Sequence, residues 1–374
     1  MSPQEVMLRD ELVAMVRLVL VSGVGPLTRR ALLEQFGSAE AVLAASAEAL
    51  RKVPRVGAKL SRRILAAHRE IDVGDELRTC SDHGLDLLIE DQPDYPPPLR
   101  DIPDPPGVLF QAGRWLPCDV LSVAIVGTRH ATQYGLQQAE RLASGLARAG
   151  FTIVSGLARG IDAAAHRGAI AAGGRTVAVL GSGILNLYPP EHQPLADDVV
   201  RHGALISETP PRMAPQSGMF PQRNRVITGL SLGTIVVEAA ERSGALVSAR
   251  HAMEQGRDVF AMPGRVDSRM SRGCHQLIRD GAKLVESVDD VLEELGPLAG
   301  RAVSTSGREV RHPGELQLNE QEQAVLDAIH DQPTLIDDVV TTSRLPVSRV
   351  LSTLSVLEMR RLIRRPSGCH VVRA

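Results

Sequence analysis

The sequence predicts an α/β protein: a Rossmann-like parallel sheet domain flanked by an N-terminal helical domain of helix–hairpin–helix (SAM-like) type and a C-terminal winged helix. Three observations carry this. Six short apolar runs between residues 122 and 262 alternate with helical stretches. Residues 11–70 repeat a helix, Gly turn, helix pattern. The last segment reads helix, helix, helix, hairpin. At 374 residues the chain has room for two or three domains of about 100–200 residues each.

The N-terminal domain spans 1–90. LVLVSGVGPLTRRALLEQF and LRKVPRVGAKLSRRILAAH place Gly25 and Gly57 at equivalent turns, 32 residues apart. Such turns present backbone N–H groups at a helix N-terminus, where phosphates bind. Arg29, Arg30, Lys59, Arg62 and Arg63 follow them. Contact with DNA and a purely protein-docking role are both open readings of this region.

Residues 91–295 hold a Pro-rich connector and the sheet domain. The connector, 91–118, is too rich in proline for a long helix or a central strand. Strands then follow at Ser122–Gly127, Thr152–Gly156, Thr176–Gly181, Ala204–Glu208, Thr234–Glu238 and Asp258–Met262. Between the first two, Leu136, Ala139, Leu142, Ala143 and Leu146 form one helical face. Residues 296–317 are Gly/Ser/Arg/Pro-rich without periodicity and read as a linker. Residues 318–374 form the winged helix, with seven arginines against the single acid Glu358 from Arg344 onward. Dimerisation or protein docking is the preferred reading of that domain over sequence-specific duplex recognition.

Composition narrows the function. With 43% hydrophobic and 23% charged residues, global disorder is excluded. No apolar run approaches the roughly 18 residues of a membrane helix. The acidic start MSPQEVMLRDEL does not resemble a signal peptide. Four scattered cysteines without a CxxC pair exclude a Cys-based zinc site and fit a reducing cytoplasm. A net charge of −2 excludes a uniform polycationic coat but not local patches. No metal and no cofactor are expected.

Ligands of open α/β sheets bind beyond the carboxyl ends of the strands. Four segments meet that description: Gly127-Thr128-Arg129; Ser155-Gly156 running on to Arg159 and Asp162; Gly181-Ser182-Gly183; and a loop ending in Met219-Phe220-Pro221-Gln222-Arg223-Asn224-Arg225. Glycines let a backbone approach a phosphate, and three of the segments add arginine. The first turn lacks the GxGxxG fingerprint of a dinucleotide site. Only nine residues are aromatic, and Phe220 shares its loop with two arginines. An aromatic face beside cations suits a single strand: the ring stacks a base and the arginines clamp its phosphates.

The segments VAIVGTRHATQYG, SGLARGIDAAAHRGAI, TVAVLGSGILNLYP, FPQRNRVITGLS and IVVEAAERSGALVSARHAMEQGRDVFAMPG resemble the DprA/Smf family of DNA-processing proteins over about residues 90–285. The resemblance implies a cytoplasmic homodimer that binds single-stranded DNA, protects incoming strands and loads RecA onto them during natural transformation and recombination. It implies phosphate contacts by Arg129 and Arg159, backbone positions at Gly127, Thr128, Ser155 and Gly156, and a stacking and clamping loop of Phe220, Arg223, Asn224 and Arg225. Weak duplex binding through the end domains is a further reading; no membrane partner is expected. Asp162, His166 and Glu238 are read as loop-shaping, since no nucleophile or metal set accompanies them. No catalytic residue is therefore assigned. The rival is a nucleoside monophosphate phosphoribohydrolase, whose GGxGTxxE motif SLGTIVVE only approaches.

Overall fold

The computed structural model describes residues 3–299, 318, 320–330, 332–359, 362–367 and 369–373. The protein is mixed α/β, with a largely parallel sheet. Its sheet strands are β1 (Asp86–Ile89), β2 (Val108–Gly113), β3 (Ser122–Val126), β4 (Thr152–Ser155), β5 (Thr176–Leu180), β6 (Gly203–Ser207), β7 (Gly233–Val236), β8 (Asp258–Ala261) and β9 (Lys283–Leu284). The chain divides into two compact units, 1–114 with 178–230 and 115–177 with 231–374, and the boundary passes through β5.

The first unit contains the helical N-terminus. Ser38, Ser46 and Asp72 cap three of its helices by accepting from backbone N–H groups three residues on. Gly25 and Gly57 open the helices Pro26–Phe36 and Ala58–Glu70 with nearly identical extended backbones, φ −87° in both. The two repeats close over one apolar core that includes Leu18, Leu32, Leu50 and Ile64. Strands run in the order β1, β2, β6, β5 in this unit, with β1–β2 and β2–β6 antiparallel. Strand β2 corrects the expectation that 91–118 holds no central strand. Its run GVLFQAG lies beyond the last proline of the cluster, Pro106, so every ladder N–H is available.

In the second unit the order is β4, β3, β7, β8, β9, all parallel where paired. The helix Gln133–Arg148 buries Ala139, Leu142, Ala143 and Leu146, the face seen in the sequence. Asp119 is fully buried in the turn before β3, where Arg175 and Thr152 Oγ1 each donate to it at 2.7 Å. The helix Val288–Ala299 takes in the first four residues of the expected linker; residues 300–317 lie outside the described set. The C-terminal domain has helices Glu320–Asp327, Ile336–Ser343 and Val347–Met359, then a sheet of β10 (Thr334–Leu335), β11 (Ile363–Ser367) and β12 (His370–Arg373). Val325, Val339, Leu354 and Val371 fill its own core. Among the described residues no helix is long and apolar enough to cross a membrane.

Candidate nucleic-acid interface

In the second unit, two strand ends are locked together. Ser155 Oγ, at the end of β4, donates to Ile125 O of β3 at 2.6 Å. Beyond β3, a Cβ on Gly127 would sit 2.5 Å from Ile161 and 3.0 Å from Glu238 O. Beyond β4 the backbone turns through Leu157 at φ 54° and Gly160 at φ 76°. A left-handed conformation at a buried leucine is strained, a condition that packing must enforce. A Cβ on Gly160 would meet Thr128 O at 2.3 Å, so only glycine lets the two turns touch. Arg129 and Arg159 project from these abutting backbones, and both are exposed.

The residues read as loop-shaping lie beneath. Asp162 Oδ2 accepts from Gly156 N at 3.2 Å. Thr176 Oγ1 donates its one proton to Ile153 O, so the 2.7 Å contact with His166 makes Nδ1 the donor. Glu238 is buried; its carboxylate accepts from Thr132 N at 2.9 Å and from Thr132 Oγ1 at 2.6 Å. Its main-chain carbonyl accepts from Thr128 N at 2.8 Å.

The first unit holds the other group. Met219-Phe220-Pro221-Gln222-Arg223-Asn224-Arg225 is not a loop but the start of the helix Met219–Leu230. Pro221 falls in its first turn, where the missing N–H is not needed. Phe220 is half-buried, its ring 5.6 Å from that of Tyr188 and tilted by 57°. A Cβ on Gly181 would come within 2.7 Å of that ring. Arg223 is 7% exposed and donates to Val179 O at the end of β5. It also walls a cavity of about 180 Å³ lined by Val24, Gly25, Leu180, Glu208 and Met219. Arg225 is 4% exposed. It donates to Glu208 at 2.5 Å and to Asp104 O at 2.6 Å, and its Nε lies 3.1 Å from the Asp104 carboxylate. Burial holds the Glu208 carboxyl above the usual carboxylate range despite this cation. Asn224 is half-buried.

The helical repeats differ in the same way. Arg29 is buried, donating to Glu90 at 2.5 Å and Pro105 O at 2.9 Å, and Arg30 reaches Pro103 O at 3.0 Å. Lys59, Arg62 and Arg63 of the second hairpin are exposed, although Arg63 also donates to Ser22 O.

One exposed residue carries no expectation from the sequence. Among the described residues, which include all nine aromatics, Tyr134 is the only exposed one, at 50%. The signal was the one applied to Phe220: a scarce aromatic among polar residues, here HATQYG.

Comparison with known proteins places the architecture. Residues 86–296 match the family described as DNA recombination-mediator protein A. Residues 16–70 match a SAM-like helix-hairpin-helix tandem, and 309–368 match the DprA winged helix domain. Protein Smf of Synechocystis sp. is 33% identical over 386 residues, 94% of this chain and 96% of that protein. The structure of DNA processing protein A from Streptococcus pneumoniae is similar at TM-score 0.66 and 35% identity, over 75% of this chain and 97% of that one. DNA processing protein A from Helicobacter pylori, described for its single-stranded DNA binding mode, matches at TM-score 0.51 and 30% identity, over 56% and 95%. With its sheet domain and both end domains matched, the chain belongs to the DNA recombination-mediator protein A (DprA/Smf) family.

Proposed function

We propose that this protein is a cytoplasmic, homodimeric mediator that binds single-stranded DNA, protects it and loads RecA onto it, without catalysing a reaction. The observation that carries the DNA-binding part is the pair Arg129 and Arg159. Two exposed guanidinium groups stand on backbones that Gly127 and Gly160 hold in contact. Guanidinium groups suit phosphate oxygens, and a rigid base spares the ordering cost on binding. Asp162 and Glu238, the acids packed against these turns, are both buried. Gly127, Thr128, Ser155 and Gly156 supply the turn geometry. Phe220, Arg223 and Asn224 are assigned to single-strand contacts made by the first unit itself, Arg223 through the cavity it walls. Arg225 is assigned to holding that unit together. The relative from Helicobacter pylori supports the ligand class. Weak duplex binding is assigned to the second hairpin, where Lys59 and Arg62 are exposed.

The rival phosphoribohydrolase reading needs an available acid, and both Glu238 carboxylate oxygens are engaged by Thr132. The test uses the full chain with an oligo(dT) strand over a range of salt. Arg129→Ala and Arg159→Ala should each flatten log affinity against log salt by about 0.7. Wild-type chain that ignores single strands, or that frees base from nucleoside monophosphates, would overturn the proposal. RecA loading is read as faster RecA assembly on a single strand when the chain is present; no acceleration removes that part.

A further inference from the structure

We infer that Tyr134 is the base-stacking platform of the second unit, taking a nucleobase of a single strand whose phosphates lie on Arg129. This rests on the single-stranded DNA reading above and adds to it a residue and a contact type.

Exposure comes first. A half-exposed tyrosine is unusual in a chain with nine aromatics, where Tyr95, Phe110, Phe151 and Phe260 are all 1% exposed or less. The others are at least half-buried, and Phe220, the aromatic expected to stack, has the Tyr188 ring 5.6 Å away and Gly181 close against it. Position comes second. Tyr134 is the second residue of the helix Gln133–Arg148, which follows the Arg129 turn at the carboxyl end of β3.

Rigidity is the third element. The arc from 128 to 132 is pinned at both ends by one buried residue. Glu238 takes Thr128 N on its main-chain oxygen and Thr132 N and Oγ1 on its carboxylate. Thr132 Oγ1 also accepts from Gly135 N at 3.1 Å. A Cβ on Gly135 would sit 2.4 Å from the Glu238 carboxylate, so the glycine permits the close approach. The backbone of Tyr134 is therefore fixed from both sides, and its separation from Arg129 is built in. Stacking gains most when the platform is ordered before the ligand arrives.

The surroundings select the ligand. Arg129, His130, Thr132, Gln133 and Gln137 are all exposed and polar. A protein-docking hot spot would sit within an apolar rim that excludes water. An isolated ring beside Arg129 and amides, with the Glu238 carboxylate buried behind the turn, matches a base and its phosphates instead.

The experiment compares Tyr134→Ala, Tyr134→Phe and Arg129→Ala in the full chain. The probes are oligo(dT) and an abasic strand of equal length, each titrated at several salt concentrations. Tyr134→Ala should weaken oligo(dT) binding by about 5- to 150-fold and leave the abasic strand nearly unaffected. Its salt slope should stay at the wild-type value, because no charge is lost. Tyr134→Phe should bind as wild type, since the ring persists. Arg129→Ala should instead lose affinity for both strands and flatten the slope. Wild-type affinity in Tyr134→Ala, or equal loss on both strands, overturns the stacking role while leaving the DNA reading in place. A wild-type chain that binds neither strand overturns both.

Discussion

Arg129 and Arg159 in one unit and Arg223 and Arg225 in the other look alike in the sequence. Each lies beyond a strand, and each has a glycine, proline or asparagine within two positions. The fold separates them. The first two are exposed, whereas Arg223 and Arg225 are 7% and 4% exposed. The difference lies in what faces each guanidinium. Arg225 is met by Asp104 and Glu208, and Arg223 by the end of β5. A cation between two carboxylates in a part-buried site serves the fold, and removing it strands both acids. A cation on a rigid exposed turn lies where an anion from outside can reach it. The two helical hairpins repeat the contrast, with Arg29 facing Glu90 and Lys59 facing solvent.

The contrast is broken or sharpened by substitution. Arg225→Ala carries the largest expected effect, a loss of about 3–5 kcal/mol read by denaturant unfolding. Adding Glu208→Gln should return part of that loss, because one stranded charge is then gone. An Arg225→Ala chain that unfolds like wild type but no longer holds oligo(dT) would reverse the assignment. Phe220→Ala comes next. A fully buried ring truncation costs about 3–5 kcal/mol, so a half-buried one should cost about 2. Its assigned contact with the strand adds a second loss: oligo(dT) binding should fall while abasic binding does not, and equal losses on both strands would leave the ring only its packing near Tyr188. Arg129→Ala and Arg159→Ala should move stability by no more than about 0.5 kcal/mol, so a chemical melt separates them from Arg225→Ala. The smallest effect belongs to Lys59→Ala: unchanged stability, and a duplex salt slope reduced by about 0.9. An unchanged duplex slope would give the second hairpin to protein contact instead.

Much of this was legible beforehand. The six runs from Ser122 to Met262 became strands because short apolar stretches ending in Gly or Glu have few other stable uses between amphipathic helices. Strand β2 was hidden by the prolines ahead of it, which mark 91–106 but not the residues after Pro106. The helical start at Met219 was hidden for a related reason: proline signals a loop, yet it is compatible with a first helical turn. The burial of Arg225 had no local signal at all. Its carboxylate partners lie 17 and 121 residues away, and only the completed fold brings them in. Tyr134 differs, since its local sequence already shows an aromatic in polar company, but without the two arginines that follow Phe220.

The first unit is assembled from two stretches of chain, 1–114 and 178–230, and this has a consequence for synthesis on the ribosome. Asp104 leaves the tunnel 121 residues ahead of Arg225. At about 5–20 residues per second that is a wait of roughly 6–24 s. For most of it β2 has β1 beside it but lacks β6, and Asp104 has no counter-ion; Glu208 follows only 17 residues ahead of Arg225. The helical repeats, whose core is drawn mostly from residues 14–89, can close earlier. Folding of this unit is thus ordered in time, with the hairpins first and the FPQRNR helix last. A fragment starting at residue 110 would lack Asp104 altogether, so Arg225 would keep Glu208 as its one remaining carboxylate of the two.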